Sequence, residues 1–221
     1  MSGPLALVGG GEWQDGCSFD RPLLDAVAAE EVVVVPAAAA YEHPDRAGAA
    51  AAAWFESLGV RSLTVPGLGR PDALDEANVA AVRDARFLYL ADGSPMHLRS
   101  VLKDTPLWDA LVAAWHGGAV LAGSGAGAMV LCDPMVDPRG GAFTVGLGLL
   151  AQLTIIPRHD HWSEDQARRT LDLSPAGLAV IGVDERTALI RDPVGAWRAE
   201  GAGNVAVFVG GNPAELADLP A

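Results

Sequence analysis

The sequence predicts an α/β fold built on a mostly parallel sheet with helices on both faces, and three observations predict it. Short, continuous apolar runs recur through the first half of the chain. Each run stops at a glycine, proline or aspartate. Segments long enough for helices, one of them alanine-rich, lie between them. A run that is apolar throughout suits a strand buried on both faces, and strands alternating with helices lie parallel.

The elements follow in order. Leu5-Ala6-Leu7-Val8 is the first strand and runs into Gly9-Gly10-Gly11. Val32-Val33-Val34-Val35 ends at Pro36. A helix from Asp45 to Leu58 stops at Gly59, and another over Leu74 to Ala85 follows Pro71-Asp72. Phe87-Leu88-Tyr89-Leu90 ends at Asp92-Gly93. Pro106 to Trp115 has proline at a first turn and Gly117-Gly118 at its end, both normal helix punctuation. Ala119-Val120-Leu121-Ala122 is the fourth predicted strand and ends at Gly123. In the second half Thr154-Ile155-Ile156-Pro157 reads as a strand. Val180-Ile181-Gly182-Val183, Thr187-Ala188-Leu189-Ile190 and Val205-Ala206-Val207-Phe208-Val209 are spaced as antiparallel additions to the same sheet. No internal repeat or linker interrupts the chain, and 221 residues fit one domain over 1–221.

Composition narrows the function classes. Half the residues are apolar and 19% are charged, the balance of a folded protein. A formal net charge of −13 argues against nucleic acid and against an anionic membrane surface, both of which need clustered Lys and Arg. Two cysteines, Cys17 and Cys132, make no disulfide framework and read as reduced thiols. The N-terminus lacks the basic stretch of a signal peptide, and no window of about 18 apolar residues would cross a membrane. The expectation is a cytoplasmic protein that acts on a small molecule or peptide.

In parallel α/β sheets the site lies beyond the carboxyl ends of the strands, which directs attention to the turns. Ala122-Gly123-Ser124-Gly125-Ala126-Gly127-Ala128-Met129 follows a strand and opens a helix. That is the layout of a nucleophile elbow, in which glycines two before and two after the nucleophile give room for a strained turn. Gly123 and Gly127 hold those places, and the residue midway is Gly125, with no side chain to attack anything. The same segment fits a dinucleotide fingerprint. It sits at the fourth strand rather than the first, however, and no acidic residue follows about 20 positions on, so that reading is set aside.

The elbow resembles the Gly-x-Ser-Ala-Gly-Ala segment of the cyanophycinase and dipeptidase E family of serine peptidases. Val8-Gly9-Gly10-Gly11-Glu12, Leu58-Gly59-Val60, Asp92-Gly93-Ser94-Pro95, Gly146-Leu147-Gly148-Leu149-Leu150, His159-Asp160-His161-Trp162 and Asp184-Glu185-Arg186-Thr187-Ala188 are similar to further family segments in family order. The resemblance implies an α/β/α sandwich like that of class I glutamine amidotransferases. It also implies hydrolysis of aspartyl dipeptides or β-aspartyl amides by acyl transfer, with no cofactor. Dimers occur in the family, and a homodimer here rests on that alone.

Carried over residue by residue, Gly125 stands at the nucleophile position and His161 at the general base. Asp133 is the acid, with Asp137 as its rival; each also precedes a proline, so a turn-forming aspartate is the alternative for both. Ser124 is the alternative nucleophile. Gly93 and Ala126 are the backbone oxyanion donors, and Ser94, Arg168 and Arg169 the substrate-binding residues; the arginines suit a carboxylate. His159 and His161 would share a face of a strand, but two histidines fall short of the three or four ligands of zinc, so no metal is expected. The loop after the third predicted strand departs from the family: Asp92 stands in place of a glycine, and Pro95-Met96 follow Ser94. Two readings stay open. One is a hydrolase whose residue 125 is engineered or bypassed; the other is a non-hydrolytic member that keeps the pocket for a small acidic ligand or a regulatory partner.

Overall fold

The computed structural model describes residues 2–67, 69–139 and 142–220. Along the chain come β1 (Leu5–Val8), α1 (Asp20–Val27), β2 (Glu31–Val35), α2 (Pro44–Ser57), β3 (Arg61–Thr64), α3 (Arg70–Ala73) and α4 (Glu76–Arg83). Then follow β4 (Phe87–Leu90), α5 (Pro95–Leu102), α6 (Pro106–His116), β5 (Val120–Ser124), α7 (Ala126–Leu131), β6 (Met135–Val136) and β7 (Phe143–Thr144). The last part holds β8 (Leu153–Pro157), α8 (Glu164–Asp172), β9 (Ala179–Val183), β10 (Thr187–Arg191), β11 (Trp197–Gly201), β12 (Val205–Val209) and β13 (Asn212–Ala214).

The central sheet has the order β11-β10-β1-β5-β4-β2-β3. Its five strands β1, β5, β4, β2 and β3 are parallel, while β10 and β11 extend the β1 edge antiparallel. Each buried strand divides its side chains between two cores, because successive residues point to opposite faces. Leu5, Leu7, Val33, Val35, Leu88 and Leu90 join one core with residues of α4 to α7. Ala6, Val8, Val32, Val34, Phe87 and Tyr89 join the other with α1 and with Ala51 and Phe55 of α2. This explains why these strands are apolar throughout.

Three sequence expectations need correction. β3 is a further parallel strand; its residues Arg61-Ser62-Leu63-Thr64 lie at the sheet edge, where the apolar run that marks a central strand is not required. The helix expected over Leu74 to Ala85 is α4, trimmed at its start because the Asp75 carboxylate caps it by accepting the N–H groups of Ala77 and Asn78, and the short α3 precedes it as a separate turn. Only Thr187–Arg191 of the three late strands joins the main sheet. β9 and β12 belong to a second sheet, β13-β12-β9-β8, in which β8 and β9 are parallel. That second sheet matters for the site, because it brings the end of β8 beside the ends of β1, β4 and β5.

Candidate active site

The elbow is present. Gly125 has φ 48° and ψ −107° between β5 and α7. Its N–H donates to the Val8 carbonyl at 2.9 Å, and its carbonyl accepts the Met129 N–H at 2.9 Å, so the turn is tied to β1 on one side and to α7 on the other. Gly123 and Gly127 pack against each other across it: a Cβ on Gly123 would lie 2.6 Å from the Gly127 carbonyl carbon.

A side chain on residue 125 would have to displace Asp92. An added Cβ there would overlap the carboxylate of Asp92. Asp92 leaves the end of β4 and turns its carboxylate into the elbow. Its Oδ1 accepts two backbone N–H groups, from Gly93 at 2.7 Å and from Ala126 at 2.8 Å. Its Oδ2 lies 2.6 Å from Nη2 of Arg158, a close ion pair rather than an aligned hydrogen bond. Gly93 has φ 141°, and a Cβ on it would collide with the Ala38 carbonyl. The two amides named from the sequence as oxyanion donors thus converge on one point, and an aspartate oxygen occupies it.

Two other carboxylates surround this group. Glu12, from the turn after β1, accepts the Asp92 N–H at 3.1 Å and the Ser124 hydroxyl at 2.8 Å, joining the turns after β1, β4 and β5. Burial raises its pKa, and the nearby Asp92 charge adds to that. Arg158, directly after β8, holds a left-handed backbone with φ 50°, uncommon for a non-glycine residue. Its N–H donates to the Gly9 carbonyl at 2.7 Å. Its Nε–H donates to Glu185 at 2.9 Å, so the guanidinium spans Glu185 and Asp92.

The other predicted residues separate into those near this cluster and those outside it. His161, in a short 3-10 helix over His159–His161, is 61% exposed; its Nε2 lies 3.5 Å from Asp160 and 3.9 Å from Glu185. Its acidic neighbours are therefore Asp160 and Glu185. Asp133 instead accepts the Gly146 N–H at 3.3 Å, and Asp137 pairs with Arg139, which lowers its pKa to about 2. Ser124 is fully buried with its hydroxyl turned to Glu12. The Ser94 hydroxyl caps α5 through the His97 N–H. Arg168 pairs with Asp165 on the exposed face of α8, and Arg169 is exposed beside it. Among the described residues no three His, Cys, Asp or Glu side chains converge as metal ligands, and no helix is long and apolar enough to cross a membrane. Cys17 and Cys132 are both unbridged and buried.

A cleft of about 150 Å³ opens over the cluster. Its floor holds Asp92, Gly93 and Ala126, with Met129, Arg158 and Trp162 along its walls. A larger groove of about 520 Å³ beside Arg83 and Gly117 lies at the opposite end of β5 and has none of this chemistry. Sequence reasoning passed over Arg158 altogether. The signal available was its place directly after a strand, in the class of turn that carries sites in such sheets.

Comparison with known proteins agrees with the geometry. Peptidase family S51 matches residues 5–194. The cyanophycinase of Synechococcus elongatus is 29% identical over 197 residues, covering 83% of this chain and 59% of its own length. The chain thus spans under two thirds of the curated relatives it matches. A crystal structure of a peptidase from an acI-B1 Actinobacterium superposes with a TM-score of 0.85 at 31% identity, covering 95% of this chain and 92% of that one. A putative peptidase E from Listeria monocytogenes EGD-e shares the fold, with a TM-score of 0.63 at 15% identity over 95% of this chain and 99% of that one.

Proposed function

The chain belongs to peptidase family S51, and within that family we propose that it is a non-hydrolytic member whose catalytic cleft is closed to acyl transfer. One observation carries this reading: the Asp92 carboxylate fills both the point on which the Gly93 and Ala126 amides converge and the volume that a side chain on residue 125 would need. Acyl transfer needs a nucleophile and backbone donors aimed at the developing oxyanion. Here the nucleophile position is glycine, and the donors already hold an anion. Both changes fall on the same few ångströms and each accommodates the other. A single engineered replacement at residue 125 would leave the donors open, so the pairing favours loss of hydrolysis over engineering.

The bypass through Ser124 finds no support in the geometry. Its hydroxyl is buried and donates to Glu12, and Ser124 is not among the residues that line the cleft. His161, with Glu185 3.9 Å from its Nε2, is the candidate base if a nucleophile were restored.

The test compares hydrolysis of α- and β-aspartyl dipeptides by four proteins: the unaltered chain, Gly125→Ser, Asp92→Gly, and the double variant. The reading expects turnover from the double variant alone. Turnover by the unaltered chain would overturn it.

A further inference from the structure

We infer that Asp92 acts as a tethered ligand: the cleft is a carboxylate receptor filled by the chain's own carboxylate, and a free small carboxylate takes its place when Asp92 is removed. The donor set reads a carboxylate. One oxygen sits between two neutral amides, Gly93 N–H at 2.7 Å and Ala126 N–H at 2.8 Å. The other oxygen meets a guanidinium nitrogen at 2.6 Å. Two oxygens with different partners, one pair of neutral amides and one cation, fit a planar two-oxygen anion.

These donors come from three turns, after β4, β5 and β8, and each is held by bonds that do not involve the Asp92 carboxylate. The elbow is fixed by Gly125 N–H to Val8 and by Met129 N–H to Gly125. The turn after β4 is fixed by Ser94 N–H to the Ala38 carbonyl at 2.8 Å. Arg158 is fixed by its N–H to Gly9 and its Nε–H to Glu185. Taking away the carboxylate therefore leaves the receptor standing. Above it the cleft is walled by Met129, Pro157 and Trp162, and its volume of about 150 Å³ sets the ligand class as a small carboxylic acid with an apolar body.

The tether predicts that the unaltered protein binds such acids more weakly than a chain without it. An intramolecular carboxylate competes at a high effective concentration, and free ligand sees only the fraction of molecules in which Asp92 has withdrawn. The inference rests on the reading that the cleft no longer hydrolyses, yet the two fail separately. Acetate has no bond to cleave, so a null titration leaves that reading intact. Turnover by the unaltered chain refutes that reading whatever the titration gives.

The experiment titrates sodium acetate into ¹⁵N-labelled unaltered protein and Asp92→Ala, with sodium chloride at equal ionic strength as control. In Asp92→Ala the Gly93 and Ala126 amide resonances should move and saturate, with a dissociation constant at least about tenfold below that of the unaltered chain. Adding Arg158→Leu to Asp92→Ala should remove the gain. Equal acetate and chloride shifts, equal affinity of the two proteins, or unmoved Gly93 and Ala126 resonances would each overturn the inference. If Asp92→Ala does not fold, the isosteric Asp92→Asn carries the test. Its neutral amide is a weaker occupant, so acetate must again bind more tightly than to the unaltered chain, and equal binding overturns the inference.

Discussion

Gly125→Ser, made alone, forces two groups into one volume, and the result can be worked from the bonds that hold Asp92. The serine Cβ evicts the Asp92 carboxylate, which gives up its bonds to the Gly93 and Ala126 amides and its ion pair with Arg158. A hydrogen bond to a charged acceptor contributes about 1.5–3 kcal/mol, and rehydration of the displaced carboxylate returns part of the loss. The net cost is about 3 kcal/mol, or a fall in Tm of about 10 °C for a chain of this size. Asp92→Gly loses the same bonds and costs a similar amount. Together the two substitutions cost what Asp92→Gly costs plus the backbone strain of the serine, since the bonds can be lost only once. The strain of a serine at φ 48° is common to both serine variants and cancels in the comparison. Thermal or urea unfolding of the four proteins should therefore give a coupling of about 3 kcal/mol. Additivity to within about 0.5 kcal/mol would mean that Asp92 and residue 125 do not share a volume, and the account of the site would fail.

Other predictions follow from the same coordinates. Asp20 is fully buried, with its Oδ2 accepting the Trp54 Nε1–H at 2.8 Å; burial pushes its pKa from 3.8 up to about 7. A folded-state pKa above the unfolded one means that the folded chain holds the proton longer. Stability should fall as pH rises from about 4 to 7, by up to about 4 kcal/mol, and Asp20→Asn should flatten that slope in pH-dependent unfolding. Fluorophosphonate reagents, which label activated serines, should leave the unaltered chain unlabelled, because Ser124 is buried on Glu12; an adduct on Ser124 would revive it as a nucleophile. Burial raises the thiol pKa of Cys17 to about 11 and of Cys132 to about 12, so iodoacetamide at pH 8 should modify neither in the native protein and both after unfolding, as read by mass spectrometry.

The legible parts of the fold were those fixed by local chemistry. The apolar runs of β1, β2, β4 and β5 stood out because each strand serves two cores, and the elbow stood out because Gly123 and Gly127 must pack backbone to backbone. β3 was not legible, since an edge strand needs no apolar run. The split into two sheets was hidden as well: an antiparallel strand has the same pattern in either sheet. At the site, the sequence exposed the missing side chain at Gly125 and the odd aspartate at residue 92, but not that these two are one feature. Their contact is between turns after different strands, and no spacing rule links them. The same holds for Arg158 and Glu185, 27 residues apart and joined only through the pairing of β8 with β9. Asp133, Ser94, Arg168 and Arg169 are expected at the site from the resemblance alone, and their contacts are those of a turn, a helix cap and a solvated helix face.

The most direct measurement is turnover of aspartyl dipeptides by the unaltered chain beside the Asp92→Gly/Gly125→Ser double variant. Removing the nucleophile of a serine triad costs about 10⁶ in rate, so the account predicts no turnover from the unaltered chain. It predicts measurable hydrolysis from the double variant, lost again on adding His161→Ala. Turnover by the unaltered chain, surviving purification and scaling with its concentration, would contradict it.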